Sequence, residues 1–234
     1  MNVLVIGDEH TYGFGLEGGN LSYIGHFIRQ VSLAGQAVSV EAYAHLTMAQ
    51  MSSTLAQLPL NRYDLIVLQL DHRILQPSAF NSIDVPCLAA PVLLQPFDLK
   101  LDSTGTQVLS PLKAAKTLLA SLLRSRRAMA LSMLLKQLRP YRHNVLIITP
   151  FPHLNRANQW VRQRSRNVLL DEADKQLFSV FDSDSIIRPQ EEYFLVNDPQ
   201  HLNAISHELL GRSLFDFYLS APTIVTIQAI RRYY

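Results

Sequence analysis

The tightest constraint on this chain is the order of its apolar runs: short β-type segments alternate with stretches of helical periodicity along its length. Asn2–Ile6 reads as a buried strand, and Gly7, Gly13, Gly15, Gly18 and Gly19 mark a loop after it. Between Ser22 and Leu33, the residues Ile24, Phe27, Ile28 and Val31 recur at helical spacing, with Gly35 placed to end that helix. Val38–Tyr43 is a second strand, and Met48–Leu58 a short helix ended by Pro59. Asp64–Leu70 is a third strand, apolar on both faces through Leu65, Ile66, Val67 and Leu68, as a central parallel strand is. The spacing then predicts a long helix over Leu112–Leu138 and a strand over Asn144–Thr149. A helix over Ala157–Phe181, a short strand around Ser185–Ile187 and a last helix over Asn203–Tyr218 follow. Strands joined by crossover helices predict an α/β fold, a three-layer sandwich around a central parallel sheet. In such folds functional sites gather at the carboxyl ends of the strands.

The 234 residues, 48% of them hydrophobic, suffice for one well-filled core, and we expect one domain over residues 1–220 with a C-terminal extension over 221–234. Residues 71–112, with five prolines, form an excursion of the length that ordered functional loops or lids have. A net charge of +2 is too small to imply a nucleic-acid partner. Basic residues still cluster locally, at Arg124, Arg126 and Arg127 and again at Lys136, Arg139, Arg142 and His143. A solvated helix face is the plain reading of that cluster, and an anionic partner the sharper one. Trp160, among Arg156, Arg162, Arg164 and Arg166, reads as a helix residue on a partly exposed basic face. Cys87 is the only cysteine, so no disulfide forms within the chain, and beside Pro86 it reads as a buried or loop thiol. No basic leader precedes Val3-Leu4-Val5-Ile6, and no apolar stretch reaches membrane-spanning length. The expectation is a cytoplasmic, soluble protein, with homo-oligomerisation possible through the Leu-rich stripe Leu118–Leu138.

Two segments at opposite ends carry chemistry. The first is Val3-Leu4-Val5-Ile6-Gly7-Asp8-Glu9-His10-Thr11-Tyr12-Gly13, and the second is Asn197-Asp198-Pro199-Gln200-His201-Leu202-Asn203. The first resembles the opening block of the SGNH/GDSL hydrolases, where an apolar strand runs into Gly-Asp-Ser. The second is similar to that family's last block, Asp-x-x-His-Leu-Asn leading into a helix. The resemblance implies a flavodoxin-like strand order, hydrolysis of acyl or acetyl esters, and a site built from Asp8, the residue at position 9, Asp198 and His201. The chemistry of the second block is coherent: an imidazole takes a proton while an acid three residues earlier bonds its other nitrogen and fixes the tautomer.

Departures from the pattern bear on activity. Glu9 stands where the resemblance places the serine nucleophile, and a carboxylate cannot form an ordinary acyl-enzyme ester. The oxyanion donors implied after the second and third strands are a glycine and an asparagine. Here those segments read Ala44-His45-Leu46-Thr47-Met48 and Leu70-Asp71-His72-Arg73-Ile74. Each lost donor costs about a hundred- to a thousand-fold in turnover. We therefore expect a catalytically impaired member, a pseudoenzyme, with Glu9, Asp198 and His201 at the site and Asp8, His45, Asp71 and Arg73 lining it. Glu9 against His201 would form a charge-assisted pair that favours the imidazolium. The expected ligand is a small acylated or glycan-like molecule, with a protein partner as the other option, and no cofactor is implied. One alternative is a hydrolase in which Glu9 or His201 activates water directly. Another is a zinc, manganese or iron site drawn from Asp8, Glu9, His10, Asp71, His72, Asp198 and His201, of which only some can converge. His10 and His72 otherwise read as loop residues.

Overall fold

The computed structural model describes residues 1–71 and 124–221. In chain order the elements are β1 (Asn2–Gly7), α1 (Glu9–Tyr12), α2 (Tyr23–Leu33), β2 (Ser39–Ala44), α3 (Met48–Gln57) and β3 (Leu65–Gln69). After them come α4 (Arg124–Leu138), β4 (Val145–Ile148), α5 (Arg156–Lys175), β5 (Ser179–Phe181), β6 (Phe194–Leu195), β7 (Asp198–Leu202) and α6 (Ala204–Ser220). The first five strands form one parallel sheet in the order β2-β1-β3-β4-β5. That is the doubly wound order of flavodoxin-like folds. Strands β6 and β7 form a separate antiparallel hairpin.

Alternation along the buried strands splits the interior into two layers. Val3, Val5, Leu65, Val67, Leu146 and Ile148 face α2 and α6. Leu4, Ile6, Ile66, Leu68, Val145 and Ile147 face α3, α4 and α5. A strand buried on both faces needs apolar residues at every position, which is why these runs lack a polar alternate. Local chemistry sets the helix starts. Ser22 accepts from the Gly25 N–H at 3.2 Å, Thr47 and Gln50 form a reciprocal capping box, and Asn203 accepts from the Ser206 N–H at 3.0 Å. Helices α2 and α6 pack closely because Gly211 has no side chain. A Cβ there would come within 2.6 Å of the Tyr23 carbonyl and 2.4 Å of the His26 Cβ.

Two sequence expectations need correction. The helix predicted to Phe181 stops at Lys175, and the fifth strand is Ser179–Phe181, while Ser183–Ser185 is a turn of 3-10 helix. The helix ends because Leu177 takes a left-handed φ of 60°, with no glycine to announce it. The expected loop thiol Cys87, His72, Arg73, most of the 71–112 excursion, the start of the long helix and the 222–234 tail lie outside the described residues. Among the described residues no helix is long and apolar enough to cross a membrane.

Candidate functional site

The site forms where β1 and β3 end and the β6–β7 hairpin folds over them. Gly7 closes β1 because a Cβ there would lie 1.9 Å from Thr11 Oγ1. Asp8 then caps the single turn of α1, its Oδ1 accepting from the His10 N–H at 2.9 Å. Gln69, the last residue of β3, holds Asp8 from the other side. Its Nε2 donates to Asp8 Oδ2 at 2.6 Å, and its Oε1 accepts from the Asp8 N–H and from Thr11 Oγ1, each at 3.0 Å. Asp8 is therefore buried and saturated with partners, so it serves as a fixed support.

His10 lies in α1, which corrects its reading as a loop residue, and it is buried at 4% exposure. Its Nδ1 lies 3.3 Å from Asp8 Oδ1. Burial pushes the Asp8 carboxyl up, but the charge and hydrogen bond of His10 outweigh it, and Asp8 ends below the ordinary carboxylate value. Burial likewise pushes His10 down, and the Asp8 charge and hydrogen bond reverse that, with Glu9 and the Gln200 carbonyl adding to the rise. Both directions have one cause, the contact of the buried Asp8 carboxyl with the buried His10 ring, which favours the charged form of each. The His10 ring sits 5.4 Å from the ring of His201, 6.3 Å from that of His207 and 5.3 Å, edge-on, from Phe151.

His201 lies on β7, carried by a hairpin that Asn203 ties down through its Nδ2 bond to the Glu192 carbonyl at 2.6 Å. Asp198 Oδ2 meets His201 Nδ1 at 2.6 Å. This is the geometry expected of an acid that orients an imidazole, and it leaves Nε2 facing outward. Across from it stands Glu9, with Oε1 at 4.0 Å from His201 Nε2 and Oε2 at 3.6 Å from His45 Nδ1. The expected Glu9–His201 pair thus forms at ion-pair distance and beyond hydrogen-bond reach. Phe14 lies against the His201 ring at 4.6 Å while remaining 41% exposed, giving the site an aromatic lip.

His45 occupies a left-handed φ of 55°, the conformation a glycine would take without strain. Its backbone N–H donates to the Gly7 carbonyl at 3.0 Å, extending the β1–β2 ladder, so that group is engaged and cannot serve as an oxyanion donor. Asp71 lies just beyond β3, partly buried, and its charge pushes back on Asp8. Of the residues singled out from sequence, the structure brings Glu9, His45, Asp198 and His201 together at the surface of the site. Asp8 sits behind them, Asp71 at its edge, and Arg73 lies outside the described residues. Among the described residues no group of three or more His, Cys, Asp or Glu side chains is arranged to hold a metal ion.

Sequence reasoning missed two features. His207, on α6, is fully buried. Its Nδ1 accepts from the Tyr23 N–H at 3.0 Å, and burial, then the charge of His10, push it down to about 3. The other is Arg162, which is 0% exposed and so not part of an exposed basic face. Its Nε donates to the Pro150 carbonyl at 2.7 Å, Nη2 to Ser183 at 3.1 Å, and Nη1 pairs with Asp184 at 2.5 Å. It ties the ends of β4 and β5 to α5. The helical positions of both residues carry no signal separating them from surface polar residues.

No protein-family model matches the sequence, and no curated protein matches it. Solved structures do match in shape. A lipase from a goat rumen metagenome superposes with a TM-score of 0.64 at 14% identity, covering 92% of this chain and 95% of that one. A family 3 carbohydrate esterase from Clostridium thermocellum gives 0.60 at 14% identity, over 94% and 96% of the two chains. A structure from Desulfitobacterium hafniense, assigned to the G-D-S-L lipolytic proteins, gives 0.57 at 11% identity, over 92% and 98%. The chain therefore has the fold of the SGNH/GDSL lipases and esterases over nearly its whole length.

Proposed function

We propose that this protein is a ligand-binding member of the SGNH/GDSL fold whose site does not perform serine-type acyl transfer. The observation that carries the reading is Glu9. It stands at the end of β1 with its carboxylate 4.0 Å from the Nε2 of a His201 that Asp198 already orients. Among the described residues no hydroxyl is hydrogen-bonded to that imidazole, and the His45 N–H is spent on Gly7. What remains is a polar cluster with an aromatic lip, suited to a small acylated or glycan-like ligand. Glu9 and His201 would bond its hydroxyl or carbonyl groups, and Phe14 would pack against an apolar or sugar-ring face.

A second reading has one observation in its favour. The Glu9–His201 gap is not closed by a direct hydrogen bond, and a carboxylate and an imidazole facing across such a gap can act on water as general bases. One assay separates the two: hydrolysis of a short-chain aryl ester by the natural protein, Glu9→Ser and His201→Ala. We expect the natural protein to be silent and Glu9→Ser to gain turnover that a further His201→Ala removes. Turnover by the natural protein that disappears in His201→Ala would overturn the binding reading in favour of water activation.

A further inference from the structure

A second feature lies at the opposite edge of the sheet. Helix α4 ends at Leu138 and passes directly into a 3-10 helix, Arg139–Asn144, which delivers the chain to the start of β4. Lys136, Arg139 and Arg142 recur at every third residue through this junction. Side chains three apart share a face of an α-helix and eclipse one another in a 3-10 helix, so the three cations project as one column. Together with Pro140 and His143 they line a cavity of about 440 Å³. That volume is within the range of small-molecule sites.

The scaffold beneath is anchored. Gln137 exchanges hydrogen bonds with Ser52 of α3, at 2.9 and 3.1 Å, which pins the inner side of α4. Asn144 Nδ2 donates to the Tyr63 carbonyl at 3.1 Å, and Arg142 Nε lies 3.3 Å from His143 Nε2, which fixes the plane of the guanidinium. None of Lys136, Arg139 and Arg142 has a carboxylate partner among the described residues. Cations in the last turn of a helix complement its dipole, and that accounts for Lys136. The effect fades within one turn, so it does not account for Arg142, four residues beyond the end of α4. Lys136 and Arg139 are exposed and Arg142 half-buried, so solvent screens their mutual repulsion, and an anion bridging the three would gain from all of them at once.

We propose that this cavity binds a small molecule carrying two or more linked phosphate groups. Successive arginines in the 3-10 column are offset by about 6 Å along its axis, at about 2 Å per residue, which lets each guanidinium fork address a different phosphate. Four of the five lining residues are Lys136, Arg139, Arg142 and His143, with Pro140 and the aliphatic stems between their polar ends, so recognition would rest on the anion. The small net charge of +2 disfavours a nucleic-acid polymer, whose binding needs a broader basic surface. The site is independent of the Glu9–His201 cluster, since β4 separates the two edges of the sheet by about 13 Å at its usual rise.

The test is calorimetric titration of the full chain with inorganic pyrophosphate and tripolyphosphate. It is repeated on Arg139→Ala, Arg142→Ala, the double variant, and Arg156→Ala as an exposed control cation elsewhere. Circular dichroism and the unfolding midpoint confirm that each variant is folded. The expected result is one saturable site, weakened about tenfold or more by each single change and further by the double, with Arg156→Ala unaffected. Three results would overturn the proposal: no saturable binding in the millimolar range, affinity indifferent to the double variant, or sulfate binding as tightly as pyrophosphate. Preferential binding of a single-stranded oligonucleotide over tripolyphosphate would also overturn it, replacing the small ligand with a polymer.

Discussion

Acidification should destabilise the protein chiefly through His207. A free imidazole titrates near 6.5, whereas His207, buried on α6 and bonded through Nδ1 to the Tyr23 N–H, is pushed down to about 3. Because its folded value is depressed, the native state refuses a proton that the unfolded chain accepts. Its contribution is fully present above about pH 6.5 and is lost as pH falls toward 3. Each tenfold loss of proton affinity corresponds to about 1.4 kcal/mol, so the whole effect is about 5 kcal/mol, and the part lost between pH 7.5 and 4.5 is about 3 kcal/mol. His10 works in the opposite direction. Its folded value is raised, so its contribution is full below about pH 6.5 and is lost as pH rises through the raised value. Asp8, held low, loses its contribution only in the acid range below the ordinary carboxylate value. The informative measurement is therefore a difference. Urea unfolding of the natural protein and of His207→Gln, whose amide oxygen can still accept from Tyr23, is followed at pH 7.5 and at pH 4.5. The natural protein should lose about 3 kcal/mol more than the variant over that interval. Equal losses would refute the reasoning and mean that His207 is not held neutral by its burial.

Three other substitutions have defined outcomes. Arg162→Met should cost about 1–3 kcal/mol in chemical denaturation, because the buried Pro150 and Ser183 acceptors lose their donor while Asp184 keeps Arg166 as a partner. Gly211→Ala should lower stability by about 1–3 kcal/mol despite the better helix propensity of alanine, since its Cβ meets the Tyr23 carbonyl at 2.6 Å, and a thermal melt reads it directly. In a Glu9→Ser background that hydrolyses aryl esters, Asp198→Asn should reduce kcat by about 10⁴-fold, because the amide cannot hold His201 in the tautomer that accepts a proton at Nε2. A kcat unchanged by that substitution would mean that His201 is not the base.

The layers of the fold were legible because they rest on a repeated signal. Every residue of Leu65–Leu68 is buried, so an unbroken apolar run reads directly as a central strand. The same rule failed at Ser179–Phe181, an edge strand of three residues that opens on serine and follows a helix ended by a leucine in left-handed geometry. The β6–β7 hairpin was invisible for a related reason. Its second strand reads Asp-Pro-Gln-His-Leu, shows no apolar alternation, and holds position through Asn203 and the Asp198–His201 contact. At the site, Asp198 and His201 were picked out by the resemblance of their block to the family's Asp-x-x-His-Leu-Asn pattern. His10 and His207 were not, because burial of a histidine is decided by the elements packed around it, here α2 and α6, and no local pattern records that.

Stability alone does not account for the Asp198–His201 pair. Asp198 is 37% exposed in its side chain, and partly exposed ion pairs contribute about 0–1 kcal/mol. The hairpin has firmer anchors in Asn203 and in the packing of Phe194 and Leu202, which are buried at 2% and 0%. Position 45 shows the complementary behaviour, keeping the backbone shape suited to glycine while carrying an imidazole whose strain, about 1–2 kcal/mol, the fold absorbs. That imidazole points at Glu9, and so does His201. Two imidazoles converging on one carboxylate, one of them oriented by a second acid, add little to folding and cost strain at His45. On the binding reading proposed above, a ligand would meet Glu9, His45 and His201 together, and that is the role in which such an arrangement has a use.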